Sequence, residues 1–145
     1  MVAKMTVNGL DGLIDDLAEL TRLPDAVVDD VLNAEADVIV EAQRSEISAR
    51  WKGPYSLGIS AQSVKKGKVK KNRDGRSISV YPQGSRRRNG ESTRNAEIAF
   101  INEYGAPKRH IAARPAINTA NQKKEQSAVE AGEKVYHAYL DSKNL

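Results

Sequence analysis

A chain of 145 residues, 39% hydrophobic and without cysteine, is the size of one domain with a lean core, and the missing thiols exclude disulfide frameworks, thiolate zinc sites and cysteine nucleophiles. No apolar run approaches the roughly 18 residues that span a bilayer, and residues 1–8 lack the apolar stretch of a signal peptide, so a chain made and used in the cytoplasm, or assembled there into something larger, is expected. The net charge of +4 is split along the chain: in residues 9–46 only Arg22 and Arg44 oppose eleven carboxylates, and in residues 65–94 only Asp74 and Glu91 oppose eleven bases, a division suited to head-to-tail association or to an anionic polymer.

Leu10, Leu13, Ile14, Leu17 and Leu20 repeat at helical spacing, with Asp11, Asp15, Asp16 and Glu19 on the polar face. Residues 21–24 interrupt that pattern. Pro24 suits the opening of a second helix, because its missing N–H would have no intrahelical partner there. The stripe Val27, Val28, Val31, Leu32, Val38, Ile39 and Ala42 predicts that helix from about Asp25 to the neighbourhood of Ser48. Trp51 is expected to plug the edge of the core, and Gly53-Pro54 ends the helical region.

Strand and turn signals follow. Residues 59–64 alternate weakly. Residues 68–71 and 77–81 flank Asn72-Arg73-Asp74-Gly75, whose Asp-Gly pair predicts a β-hairpin with a basic tip. Residues 85–92 have no periodicity and read as a mobile loop. Residues 95–101 carry apolar side chains on both faces and read as a central strand, followed by one helical turn at 102–104 that ends on Gly105. Residues 106–113 read as an extended link, after which Arg114-Pro115 opens a final helix. Its stripe is Ile117, Ala120, Val129, Gly132, Val135, Tyr136, Tyr139 and Leu140, and its polar middle, 121–127, is expected to bend or to project as an arm. The order predicts a single α+β domain: N-terminal helices over about 9–50, a small antiparallel sheet within about 56–105, and a long C-terminal helix over about 114–142.

Sites of chemistry are sparse. His110 and His137 are the only histidines and have no carboxylates at ligand-like spacing. Neither a Gly-x-Ser-x-Gly elbow nor a phosphate-binding Gly-x-x-x-x-Gly-Lys-Ser/Thr loop is present. No catalytic, metal or cofactor residue is expected, and no cofactor. The stretch with a functional claim is basic: Lys65, Lys66, Lys68, Lys70, Lys71, Arg73 and Arg76, then Arg86, Arg87 and Arg88. These residues suit phosphate neutralisation or the acidic helices of an adjacent subunit. Aromatics are not interleaved with them, so stacking of single-stranded bases is not indicated.

The run Ala96-Glu97-Ile98-Ala99-Phe100-Ile101-Asn102-Glu103-Tyr104-Gly105, followed by Ala112-Ala113-Arg114-Pro115-Ala116-Ile117, resembles a family motif. It is similar to the small neck or tail-completion (head–tail joining) proteins of long-tailed double-stranded DNA bacteriophages, the lambdoid gene-product-ten-like family. Gly9-Leu10-Asp11 with Leu13, and Gly53-Pro54-Tyr55-Ser56, match its front loosely. The chain departs from the pattern at residues 55–59 and at Ala116. The resemblance implies an α+β virion protein without catalysis. It also implies assembly into a ring, commonly sixfold, at the head–tail junction or upper tail, beside connector, tail-terminator or tail-tube proteins.

In that setting Glu103, Tyr104, Gly105, Arg114 and Pro115 are expected to fix the fold around the last link, with Arg114 paired to Glu103. The basic hairpin and loop would meet partners or line a channel crossed by DNA. The competing expectation is a free nucleic-acid-binding protein that uses the same hairpin.

Overall fold

A computed structural model of the chain describes residues 23–52, 58–73 and 75–143. The stripe from Leu10 to Leu20, the Gly53-Pro54 break and Asp74 lie outside the described residues. The fold is α+β, with helices around antiparallel strand pairs.

The first described helix, α1 (Asp25–Arg50), follows Pro24, whose carbonyl accepts the N–H groups of Val27 and Val28. Its buried line, Val31, Leu32, Glu35, Ala36, Ile39, Val40, Gln43 and Ile47, keeps the expected period but includes two polar residues that the sequence stripe did not contain. Trp51 closes the helix, 6% exposed, and its indole N–H donates to the Arg114 carbonyl at 2.7 Å. The edge-of-core expectation for Trp51 holds.

Residues 59–64 are not one strand. Gly58, at φ 72°, starts a single helical turn, α2 (Ile59–Gln62), that buries Ala61. Strand β1 (Val64–Lys66) begins only after it and pairs with β4 (Val80–Pro82), Val64 opposite Pro82 and Lys66 opposite Val80. Further out, β2 (Lys70–Asn72) pairs with β3 (Gly75–Ser77). Between the two ladders Gly67, Lys68 and Val69 face only Ile78 and Ser79, with the Gly67 N–H donating to the Ser79 carbonyl at 2.8 Å. One extra residue on one strand is a bulge, which breaks the ladder and strengthens the twist. The expected basic hairpin is therefore present, as the outer half of a bulged ribbon.

Two sequence expectations are overturned next. Residues 85–92 are not a mobile loop but most of a second hairpin, β5 (Ser85–Arg88) with β6 (Glu91–Arg94). Asn89 and Gly90 form its two-residue turn, both at positive φ (53° and 82°), the tight hairpin geometry that Asn-Gly favours. Residues 95–101 are not a strand but the first turns of helix α3 (Asn95–Tyr104). Its helical period buries Asn95, Ala99 and Glu103 on one side and leaves Phe100 and Tyr104 outside. The presumed extended link is likewise folded: Pro107–Arg109 make a 3₁₀ turn, and Ala106 and Ile111 exchange backbone hydrogen bonds across it.

The last helix, α4 (Ile117–Ser142), is unbroken through the polar middle. It lies antiparallel to α1, because Asn121 meets Gln43 while Gly132 meets Glu35. Of its buried residues, Ile117, Ala120, Ala128, Gly132 and Tyr136, three are small: Ala120, Ala128 and Gly132. Such small side chains let the two backbones approach closely. A Cβ on Gly132 would lie 2.7 Å from Glu35 Oε1. Lys123 pairs with Glu46 at 2.8 Å, so the polar segment is tied to α1 at one point although residues 122–127 are exposed. The core lies between this helix pair and the inner strands, around Ile39, Val64, Ile78, Val80 and Ile117. Among the described residues no helix is long and apolar enough to cross a membrane.

Candidate functional site

The Glu-Tyr-Gly and Arg-Pro segments meet at a helix start. The first amides of an α-helix have no partner within the helix, and α4 has no side-chain cap of its own from Ala116. Glu103 supplies one from α3: its Oε2 accepts the N–H groups of Ala116 and Ile117 at 2.8 and 2.9 Å, and its Oε1 accepts that of Asn118 at 2.8 Å. The residue is 2% exposed. A carboxylate there also meets the positive end of the helix dipole.

The expected Glu103–Arg114 ion pair is absent. With three amides on its carboxylate, Glu103 is turned to the helix start, and Arg114 is held elsewhere. The Arg114 guanidinium donates to Asn102 Oδ1 at 2.7 Å and to the Lys52 carbonyl at 3.4 Å, while its backbone N–H donates to the Asn102 carbonyl. Pro115 stands two residues before α4 and accepts the Thr119 hydroxyl at its carbonyl. Gly105, at φ 75° and ψ 178°, ends α3 where a Cβ would fall 2.7 Å from the Ile111 carbonyl oxygen. Four of the five motif residues thus shape one structural node.

Tyr104 is the exception, because it is displayed. It is 43% exposed and Phe100, one turn earlier, is 44% exposed, with ring centroids 5.0 Å apart. Beside them Tyr81, Pro82 and Ala96 line a shallow hollow floored by Ala99 and Ile117. Large apolar side chains grouped at the surface mark contact sites more often than scattered ones do.

The basic residues divide into those that anchor and those on display. Arg76 reaches from β3 to α1, where it holds both carboxylate oxygens of Asp29 (Nη2 to Oδ2 at 2.8 Å) and lies 3.6 Å from Asp25. The Arg76 hydrogen bonds hold the Asp29 carboxyl below its usual range, and Asp29 raises Arg76 in return. Lys66 pairs with Asp37 at 2.8 Å. The acidic helix and the basic ribbon therefore neutralise one another in part within a single chain. Arg86 is also an anchor, donating to Asn95 Oδ1 and to Ser60 Oγ at 2.8 Å each. Burial pushes its guanidinium down.

Lys65, Lys68, Lys70, Lys71, Arg73 and Arg87 are exposed, as is Arg94, a base of the same segment outside the expected partner-facing set. The Arg88 side chain lies outside what is described. Asn95, Ser60 and Asn102 were also missed. A read of Asn95–Tyr104 as a helix would have placed Phe100 and Tyr104 together, but no local signal points to the partners of Arg86.

Among the described residues no group of three or more His, Asp or Glu side chains is arranged to hold a metal ion. His110 is exposed in a left-handed turn at φ 57°, and His137 is exposed with its ring centroid 5.5 Å from that of Tyr136, the two planes tilted at 50°. Comparison with known proteins finds no match to the chain, whether among family models, curated proteins or solved structures.

Proposed function

We propose that the chain is a virion structural protein: copies of it assemble into a ring at the head–tail junction or upper tail of a long-tailed phage or a phage-derived particle. Connector, tail-terminator or tail-tube proteins would be its neighbours, and it acts by assembly, without catalysis. The observation that carries this reading is the aromatic pair Phe100 and Tyr104, nearly half exposed beside an apolar hollow. Interface cores are enriched in aromatic side chains and depleted of charge, and a lean single domain gains buried area by association. The pair lies within the motif that resembles the neck-protein family, so the surface and the resemblance point to the same use.

The test is electron microscopy and native mass spectrometry of the purified protein, alone and with the neighbouring tail proteins. Rings are expected, and Phe100→Asp with Tyr104→Asp should shift the population to monomer while the circular dichroism of the fold is kept. A strict monomer that never joins a particle would sink the proposal.

A further inference from the structure

We propose that the outward face of each of the two hairpins is a contact surface for duplex nucleic acid, held through its phosphates and indifferent to base sequence. This goes beyond the assembly reading and does not need it, since a single subunit carries both faces.

The two hairpins share one construction. In antiparallel pairs the residues directly opposite lie on the same face, and successive residues alternate. In β5–β6, Arg86 with Thr93 is the face that turns down to Asn95 and Ser60, so Arg87 with Ser92 and Arg94 with Ser85 share the other face. Arg87 and Arg94 are exposed there, side by side with two hydroxyls. In β2–β3, Arg76 turns to Asp29 on α1, so Lys70 with Ser77 and Asn72 with Gly75 face away. The Asn72 amide donates to Ser77 Oγ at 2.8 Å on that face. Each hairpin thus uses one arginine as an inward anchor and presents cations and small polar groups outward. Arg76 and Arg86 are positioning residues in this arrangement. They order the tips that carry Lys70 and Arg73, and Arg87 and Arg94.

Composition of the surface selects the partner. Lys70, Lys71, Asn72 and Arg73 are all exposed and no apolar residue stands among them. A protein partner would need a desolvated apolar or aromatic centre there, and among the described residues the exposed aromatic pair is Phe100 with Tyr104 on α3. A phosphate backbone needs only cations and hydroxyl or amide donors. Arg76 and Lys66 already have carboxylates of their own chain, whereas among the described residues the displayed cations Lys70, Arg73, Arg87 and Arg94 have no carboxylate partner and suit an external polyanion.

The experiment is fluorescence anisotropy of a short labelled duplex of arbitrary sequence, titrated with the full chain across a range of salt. Binding should weaken steeply with salt, the slope of log K against log salt being about −0.9 for each phosphate neutralised. Lys70→Glu with Arg73→Glu should lower affinity about tenfold or more and flatten the slope by about two such contacts, and Arg87→Glu with Arg94→Glu should act alike. Lys124→Glu with Lys134→Glu on α4 changes net charge equally and should leave binding as in wild type.

Four results would overturn the proposal. One is no binding at the lowest salt, and another is an equal loss in the α4 control. A third is hairpin variants that bind duplex normally yet fail to enter rings or particles, which would assign the surface to an acidic protein. The last is a single strand held more tightly than duplex and released by Tyr104→Ala, which would move nucleic acid to the aromatic patch. Ring formation, read by native mass spectrometry on the same samples, is expected in every hairpin variant, so loss of DNA affinity and loss of assembly are read separately.

Discussion

Glu103 caps a helix that begins fourteen residues further along the chain, and its value lies in three charge-assisted hydrogen bonds made out of water. Each such bond contributes about 1.5–3 kcal/mol, but the amides of a truncated site recover part of this from water. Glu103→Ala is therefore expected to cost about 3 kcal/mol in urea denaturation, and Glu103→Gln about 1–2 kcal/mol, since one oxygen still accepts. Arg114→Ala, which leaves the cap intact, should cost less than Glu103→Ala. Equal losses would mean that the two residues act as the ion pair first expected from the sequence.

Gly105 is a second single-residue constraint. Its φ of 75° and ψ of 178° fall in a region that only glycine occupies freely, at a cost of about 1–3 kcal/mol for other residues. The nearby Ile111 carbonyl adds a clash, so Gly105→Ala should lower the melting temperature clearly more than Gly90→Ala. At Gly90 φ is also positive (82°), but a Cβ meets nothing within 4 Å.

At the scale of elements, the Arg76–Asp29 contact makes the attachment of the β2–β3 ribbon to α1 sensitive to acid. Asp29 has a folded-state pKa lowered from the ordinary 3.8 by its Arg76 hydrogen bonds. A depressed carboxyl contributes stability fully above its unfolded value, and the contribution is lost as pH falls through the folded one. Amide protection in residues 70–77 should hold at neutral pH and drop below about pH 4, by hydrogen exchange. Asp29→Asn should weaken it at neutral pH and flatten the pH dependence. An unchanged profile in that variant would remove the ribbon's anchor from Asp29.

The same scale shows what could be read in the chain beforehand. The long helices were legible because a stripe such as Val31, Leu32 and Ile39 fits one period only. Asn95–Tyr104 was not, because apolar residues at 96, 98, 99, 100 and 101 satisfy the strand period and the helix period alike. What decides is tertiary: β6 already ends at Arg94, and the helix puts Glu103 under the start of α4. The second hairpin did have a local signal, Asn89-Gly90, that its polar strands obscured. Of the candidate site, the basic tip was visible through Asp74-Gly75. The roles of Arg76 and Arg86 as anchors were not, since Asp29 lies 47 residues from Arg76, and Arg86 joins Ser60, 26 residues before it, to Asn95, nine after it.

Among the described residues α1 and α4 pack as an antiparallel pair, and their close approach over Gly132 offers a test that separates local propensity from packing. In an exposed helix interior Gly→Ala adds about 0.8–1 kcal/mol of stability. Here the new Cβ would meet Glu35 Oε1 at 2.7 Å and Glu35 Cγ at 3.0 Å. Glu35 is fully buried, so its side chain must shift within the core or the helices must separate. Overpacking of this kind costs about 1–3 kcal/mol, and Gly132→Ala is expected to destabilise the protein in spite of the propensity gain. Glu35→Ala removes the obstructing atoms, so in that background the same change at 132 should become neutral or stabilising. A double-mutant cycle by urea denaturation reads this directly, and the coupling should be about 1 kcal/mol or more, as for residues in contact. If Gly132→Ala has the same effect in both backgrounds, the spacing of α1 and α4 is not set by Glu35, and the small-residue line on α4 must owe its place to something other than this contact.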